Sequence, residues 1–444
     1  MKKILYLSLV AVLSLTALVG CNKNGSLLNS KKPVTLTMWH VYGEHSDSPM
    51  DRYVTEFNRT VGKEKGIIIN ITDKSNASEI GEKLLNAQKG KAGTTPMPDL
   101  FFCHTSNAIE LGINNLVNWK EVFSQTELDK FIGGFLKDGT AENSLAVLPV
   151  SKSTHLLFYA GSVFERFANA KNVSVDDLKT WDGFFAVAEK YYEYSGGKPF
   201  CALDFFIRSV ELDAISRGAN DFYTENGWYK ENATLLASYK KFASSIAKGH
   251  IVVSDEFSNT QVMTGATLAG ISSSAAVLYY NDVINYPDTN VVEEMNLKVL
   301  PVPQAGVGVK YATQAGVGLC AYKTTAQKTE AASIFAKWFT EEKRNLDFVA
   351  QTGYMPVKNG AFDKLATYNF KTAAFKNTYL ALNDTRSSCT FLPEPSINGY
   401  YSNTYTLYNE IRALQKDIQK NGYNGKSAQD VANEIVDFFL NIGK

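Results

Sequence analysis

Between residues 34 and 103 the chain alternates strand and helix signals, and that rhythm restricts the fold more than any other feature. Val34, Leu36 and Met38 alternate with Thr35 and Thr37, the period-2 pattern of a strand. Met50, Tyr53, Val54 and Phe57 then recur at helical spacing. Residues 66–71 are a β-branched run suited to a buried strand, and 78–89 form a second helical segment ended by Gly90. Residues 100–103 give a third strand, entered through the Pro96-Met97-Pro98-Asp99 turn. Strand, helix, strand, helix, strand is the pattern of a parallel sheet, whose strand ends share one edge. Ligands of open α/β sheets bind beyond the carboxyl ends of the strands. Trp39, Tyr42 and Glu44 after the first strand, and His104 and Ser106 after the third, are therefore candidate ligand contacts. Gly43 permits a sharp turn among them.

At 444 residues the chain is long enough for two lobes. Its 45 Lys+Arg balance 45 Asp+Glu, so nothing favours a nucleic-acid partner, which needs clustered basic residues. Cys103, Cys201, Cys320 and Cys389 are far apart, which argues against a thiolate metal site. One or two disulfides and buried free thiols both remain open, Cys103 and Cys320 lying in apolar, strand-like runs. His40, Glu44 and His45 are close in sequence, but on a loop segment holding Gly43 rather than on a helix that would aim metal ligands. Gly316-x-Gly318 lacks the third glycine of a dinucleotide fingerprint. No metal and no cofactor is expected.

Further along, Ala146–Val150 is an apolar run interrupted by Pro149, followed by polar residues and then Leu156–Tyr159, the pattern of a strand that changes sheets. Thr180 is placed to cap a helix reaching about Tyr194, and 209–217 and 235–248 read as helices. Residues 268–280 contain Ser272, Ser273 and Ser274 at a strand end, where hydroxyls and free backbone N–H groups suit a polyol or anion. Gly316, in the glycine-spaced run 313–322, is counted among the candidate contacts. Residues 324–339 are the clearest helix, with Thr324-x-x-Gln327 suiting a capping box. The chain from 373 onward is mostly helical, broken at Pro393-Glu394-Pro395 and by the tyrosines 400, 401, 405 and 408.

Lys2, Lys3 and the apolar stretch 4–19 end in Leu18-Val19-Gly20-Cys21, which resembles a bacterial lipobox. That resemblance implies a lipoprotein signal peptide at 1–20, lipidation of Cys21 and a tether over 21–32. The order of motifs behind it resembles the family 1 extracellular solute-binding proteins of bacterial ABC importers. The shared features are Trp39-His40 with Gly43, Pro98-Asp99 before a strand, and Leu148-Pro149 followed by Leu157-Phe158-Tyr159. Thr180-Trp181-Asp182, the Gly265 segment, Pro301-x-Pro303 and Gly353-Tyr354-Met355-Pro356 follow in order. The resemblance implies a periplasmic-binding-protein-like α/β fold with two lobes, a ligand cleft between them and hinge crossings. The lobes would be 33–150 with 304–360, and 151–303 with 361–444.

Within that family the likeness leans towards binders of glycerol 3-phosphate and related compounds, through Ser153-Thr154, the serine run and Tyr354. Two departures matter. Ala275 and Ala276 stand where sugar-binding relatives often carry a stacking tryptophan. Residues 397–402 lack the arginine of the glycerol-phosphate type; the first departure weakens a maltose-like ligand and the second a phosphate ligand, with Tyr400 or Tyr401 as the alternative sugar-stacking ring. The implied function is capture of a carbohydrate or polyol-type solute by a monomeric, lipid-anchored protein. It would deliver the solute to ABC permease subunits on the extracytoplasmic face of a bacterial membrane. The alternatives are an extracytoplasmic glycan-acting enzyme using Glu44 with a second acid, and a solute sensor for a signalling receptor.

Overall fold

The computed structural model describes residues 25–442 except 44–47, 78, 254, 396 and 398. Cys21, Glu44 and the signal-like stretch lie outside the described residues. The strands that frame the molecule are β1 (Val34–His40), β2 (Ile67–Lys74), β3 (Leu100–Cys103), β4 (His155–Ala160), β5 (Cys201–Leu203), β6 (Ile251–Val252), β7 (Ala269–Ser273), β8 (Leu297–Pro301), β9 (Tyr311–Gln314), β10 (Gly318–Ala321) and β11 (Thr390–Pro393). The helices used below are α1 (Pro49–Phe57), α2 (Ile80–Gln88), α3 (Thr105–Glu110), α4 (Gly133–Asp138), α5 (Trp181–Ser195), α6 (Phe206–Ser216), α7 (Ala233–Ala247), α8 (Ala326–Phe339), α9 (Glu342–Val349), α10 (Ala373–Ser388), α11 (Tyr400–Asn421) and α12 (Ala428–Asn441).

The first sheet has the order β10-β3-β1-β2, with β1 parallel to both β2 and β3 as the alternation requires, and β10 antiparallel at the edge. Period-2 alternation divides its two faces. Leu36 and Met38 pack with Phe57, Phe335 and Phe339 on one side, while Trp39, Phe101 and Cys103 pack with Ile80 and Leu84 on the other. The second sheet has the order β8-β4-β7-β5-β6 and mixes parallel and antiparallel pairs. Leu157, Cys201 and Ile271 face a core built with α5, α6, α7, α11 and α12. Leu156, Phe158 and Val299 on its reverse face join the core of the first sheet, sealed by Tyr379 and Leu382 of α10.

Three segments cross between the sheets and pair with one another. Antiparallel bridges join Leu148 to Leu319, Lys152 to Met355, and Ser153 to Ala315. β9 and β11 run beside these crossings as a parallel ribbon. Residues 146–150 do not form the expected strand. Leu148 exchanges both backbone bonds with Leu319 (2.9 and 2.8 Å), and Pro149 has no N–H with which to continue the ladder. The cap of α8 also differs from expectation. Thr325, not Thr324, accepts from Lys328 N (3.2 Å), and the Gln327 amide donates to the Leu27 carbonyl instead of closing a box.

Trp119 joins the crossings to the core. It is fully buried, and its Nε1–H reaches the carbonyls of Ala146 and Leu319, both at 3.1 Å. Trp119→Ala is expected to lower the unfolding free energy by about 3–5 kcal/mol, as a large cavity does. Urea unfolding of the two proteins measures this, and an unchanged midpoint would refute the role given to the indole.

Candidate functional site

The crossings divide the space between the sheets into two parts. One is a narrow polar recess of about 30 Å³ lined by His104, Thr105, Ser106, Asp138, Gln314, Ala315, Gly316, Glu394, Pro395 and Tyr401. His104 and the first turn of α3 deliver the first three, the end of α4 gives Asp138, and the end of β9 with the crossing after it gives 314–316. The β11–α11 connection brings Glu394, and the first turn of α11 brings Tyr401.

Charge in the recess is paired within it. Lys152 is 2% exposed, and its ammonium donates to Asp138 Oδ2 (2.5 Å) and to the Gly316 carbonyl (2.8 Å). Gly316 can present that carbonyl because it holds φ +108°, which side chains disfavour. Behind the recess, Arg208 donates from Nη1 to Glu211 (2.6 Å) and from Nη2 to the carbonyls of Leu392 (3.1 Å) and Pro393 (2.7 Å). Glu211 also accepts from the hydroxyls of Tyr229 and of Tyr400 (2.9 Å). Burial pushes the Glu394 carboxyl up, although the Tyr401 hydroxyl donates to it at 2.5 Å. Burial, helped by the Lys152 charge, lowers His104 to about 4, so its ring is neutral at pH 7.

Several buried polar atoms beside the recess have no hydrogen-bond partner: Gln314 Oε1 and the hydroxyls of Thr154, Ser272, Ser274 and Thr313. They gather where the crossings meet β4 and β7. Ser153 is bridged to Ala315, and Ser274 N donates to the Thr154 carbonyl at 2.8 Å. A buried hydroxyl left unpaired costs about 1–3 kcal/mol. Tyr401 sits at the lip, 41% exposed as a residue, while its hydroxyl is held by Glu394.

The second part is a wider mouth of about 340 Å³ on the other side of the crossings. Tyr42, Arg52, Tyr354, Ala275, Tyr279 and Phe375 are among its lining residues. His40 shapes the loop that carries Tyr42. Its Nδ1 accepts from Tyr42 N (3.1 Å), so Nε2 carries the proton it shares with Asp51 at 3.0 Å. The Tyr42 hydroxyl meets Ser151 Oγ at 2.8 Å, and its ring is edge-on to Tyr354. Gly353, at φ +72°, lets the Tyr354 turn lie against the Ser274 carbonyl, which a Cβ would meet at 2.7 Å.

The structure thus brings His104, Ser106 and Gly316 together in the recess, and Tyr42 and Tyr354 together in the mouth. Ser153, Thr154, Ser272 and Ser274 are buried on the strand ends between them; Ser273 caps a short 3₁₀ turn by accepting from Ala275 N at 3.3 Å. Two of the expected ligand contacts, Trp39 and Tyr400, are covered by protein. Trp39 is 2% exposed on the far face of β1, with Nε1 donating to Thr72 Oγ1 (3.1 Å); Tyr400 is 3% exposed and spent on Glu211. Sequence reading passed over Lys152, Arg208, Glu211 and Gln314. Only Lys152, an ammonium beside a crossing proline, carried a local signal.

The family model described as bacterial extracellular solute-binding protein matches residues 52–377. No match is found among curated proteins. Among solved structures, the chain is similar to a cyclic α-maltosyl-1,6-maltose binding protein from Arthrobacter globiformis, at 16% identity and a TM-score of 0.64, covering 93% of this chain and 100% of that one. It is similar to the ABC substrate-binding protein Lmo0181 from Listeria monocytogenes, solved with cycloalternan, at 12% identity and 0.65, covering 92% and 98%. It is also similar to UgpB from Mycobacterium tuberculosis, solved with glycerophosphocholine, at 15% identity and 0.63, covering 92% and 98%.

The buried imidazoles set a pH dependence. His104 and His155 are both lowered to about 4 by burial, with Lys152 and Arg208 respectively adding to the effect. The unfolded chain takes up these protons near pH 6.5, before the folded chain does, so stability is lost as pH falls from about 6.5 to 4. His104→Gln is expected to flatten that slope, read as the urea midpoint against pH. NMR resonances of His104 and His155 titrating near 6.5 would refute the neutral assignment.

Proposed function

Since the chain belongs to the bacterial extracellular solute-binding proteins, we propose that it is the capture component of an ABC importer for a neutral, hydroxyl-rich solute of the carbohydrate or polyol class. It binds the solute between its lobes, 33–150 with 304–360 and 151–303 with 361–444, does no chemistry on it, and passes it as a monomer to membrane permease subunits. The lipobox-like Leu18-Val19-Gly20-Cys21 supports an anchor through Cys21 after removal of 1–20.

One observation carries the solute class. The cations beside the recess, Lys152 and Arg208, are each matched by a carboxylate, Asp138 and Glu211, while the neutral buried polar atoms nearby, together with Arg208 Nε, lack partners. Such a site gains little from a phosphate or carboxylate, which would displace an existing partner of each cation. It gains from hydroxyls, which both donate and accept. The Tyr401 ring at the lip offers a flat apolar surface to the C–H face of a sugar. The similar proteins bind cyclic α-maltosyl-1,6-maltose, cycloalternan and glycerophosphocholine, which fall on both sides of this choice; the paired charges favour the sugar.

A thermal-shift screen of neutral mono- and oligosaccharides, polyols and glycerophosphodiesters is expected to give hits among the uncharged compounds, recovered unchanged. Turnover of a hit would sink the binding-only reading. For a hit, Tyr401→Ala is expected to weaken affinity on the order of tenfold, ~1.4 kcal/mol. Gln314→Met is expected to cost ~1–3 kcal/mol through the lost polar contact. Undiminished affinity of both variants by calorimetry would remove the recess from the site. Separately, Cys21→Ser should move the protein out of the membrane fraction, and retention there would refute the lipid anchor.

A further inference from the structure

Cys103 and Cys320 lie on neighbouring antiparallel strands with their sulfurs 3.6 Å apart, both fully buried. The register sets Cys103 opposite Gly318 and Cys320 opposite Phe101, so the two are diagonal neighbours on one face of the sheet. Gly318 explains why the sulfurs meet, because it puts no side chain opposite Cys103. Nor could it carry one, since a Cβ there would lie 2.6 Å from the Leu148 carbonyl oxygen and from Val147 Cγ1. Cys201 lies on the other sheet with its sulfur against the Ala202 carbonyl, and Cys389 sits at the end of α10.

We propose that Cys103 and Cys320 are an oxidisable pair that closes to a disulfide between β3 and β10 by exchange with an external disulfide. The thiolate of one cysteine attacks the external disulfide, giving a mixed disulfide and releasing one thiol. The second thiolate displaces the other half, so the Cys103–Cys320 bond forms, the external disulfide takes two electrons, and the two protons end on the two released thiols. The extracellular setting of the family is one where such bonds persist. This inference rests on that setting and not on the class of solute.

Two features set its rate and its effect. Burial raises the Cys320 thiol well above its ordinary range, so attack waits on local opening. β10 stands last in the sheet order, and its outer side is paired at Leu319 with Leu148 and at Ala321 with Val117, so opening there has to break those bonds. An S–S bond of about 2.05 Å is shorter than the present 3.6 Å separation, so closing it turns the two side chains towards each other across the ladder. Cys103 directly precedes His104, and Gly316 stands two residues before β10, so the staple lies under both walls of the polar recess.

The test uses the full chain in a Cys21→Ser background, reduced and then held folded with oxidised glutathione. Unfolding, alkylation and peptide mapping should find Cys103 and Cys320 protected together in a linked peptide pair two hydrogens lighter than its parts, and a thermal midpoint above that of the reduced protein. Cys103→Ala should abolish both effects; if that variant does not fold, the peptide map of the parent decides alone. Full alkylation of both thiols after prolonged exposure, a stable glutathione adduct on either, or a bond to Cys201 or Cys389 would overturn the proposal.

Discussion

A buried ammonium constrains everything around it. Lys152 is 2% exposed, and a charge so placed persists only when its protons are taken up by fixed acceptors. Those acceptors come from the end of α4, as Asp138, and from the β9–β10 crossing, as the carbonyl of Gly316. The backbone of Lys152 meanwhile pairs with Met355. One side chain therefore ties together three stretches of chain that are remote in sequence, at the point where both sheets meet. The wall of the recess is held to the crossings by this requirement rather than by apolar packing alone.

A second buried pair does the same on the opposite wall. Arg208 and Glu211 lie one turn apart on α6, so the helix itself brings them together. With that carboxylate satisfied, Nη2 reaches the last carbonyls of β11 and fixes where the chain turns into α11, while Nε is buried without a partner. The first turn of α11 then separates adjacent tyrosines by about 100°. Tyr400 points inward to Glu211, while Tyr401 stays at the lip with Glu394. Adjacent, chemically identical residues acquire different duties because a helix begins between Gly399 and Tyr401.

Much of the frame could be read in the residues. The alternation of Val34–Met38, the β-branched run before Asn70 and the apolar Leu100–Cys103 are local patterns, and they gave β1, β2 and β3 with their parallel sense. Thr180 capped α5 as expected, accepting from Gly183 N at 3.2 Å. What could not be read depends on separation. Alternation along β1 shows that Trp39 and Met38 face opposite sides, yet not that both sides are covered, Met38 at 0% and Trp39 at 2% exposure. The Lys152–Asp138 and Cys103–Cys320 contacts, the latter spanning 217 positions, are set by strand register and by crossings, which no window of sequence contains. The serines 272–274 drew notice for their hydroxyls, and two of those hydroxyls are indeed buried and unpaired. Their neighbours Thr313 and Gln314, on a distant segment, gave no such hint.

Charge balance links the whole chain to the recess. A chain of zero formal net charge sets up no strong overall field to draw in an anion, and in the recess each buried cation is already answered by a carboxylate. Recognition there has to come from direction: neutral donors and acceptors fixed by buried ion pairs, with one exposed ring beside them. Fixed geometry of that kind discriminates between stereoisomeric hydroxyls, because a group left unpaired in a dry site costs more than a group merely solvated. The ion pairs, on this view, do not bind the solute. They hold still the groups that do.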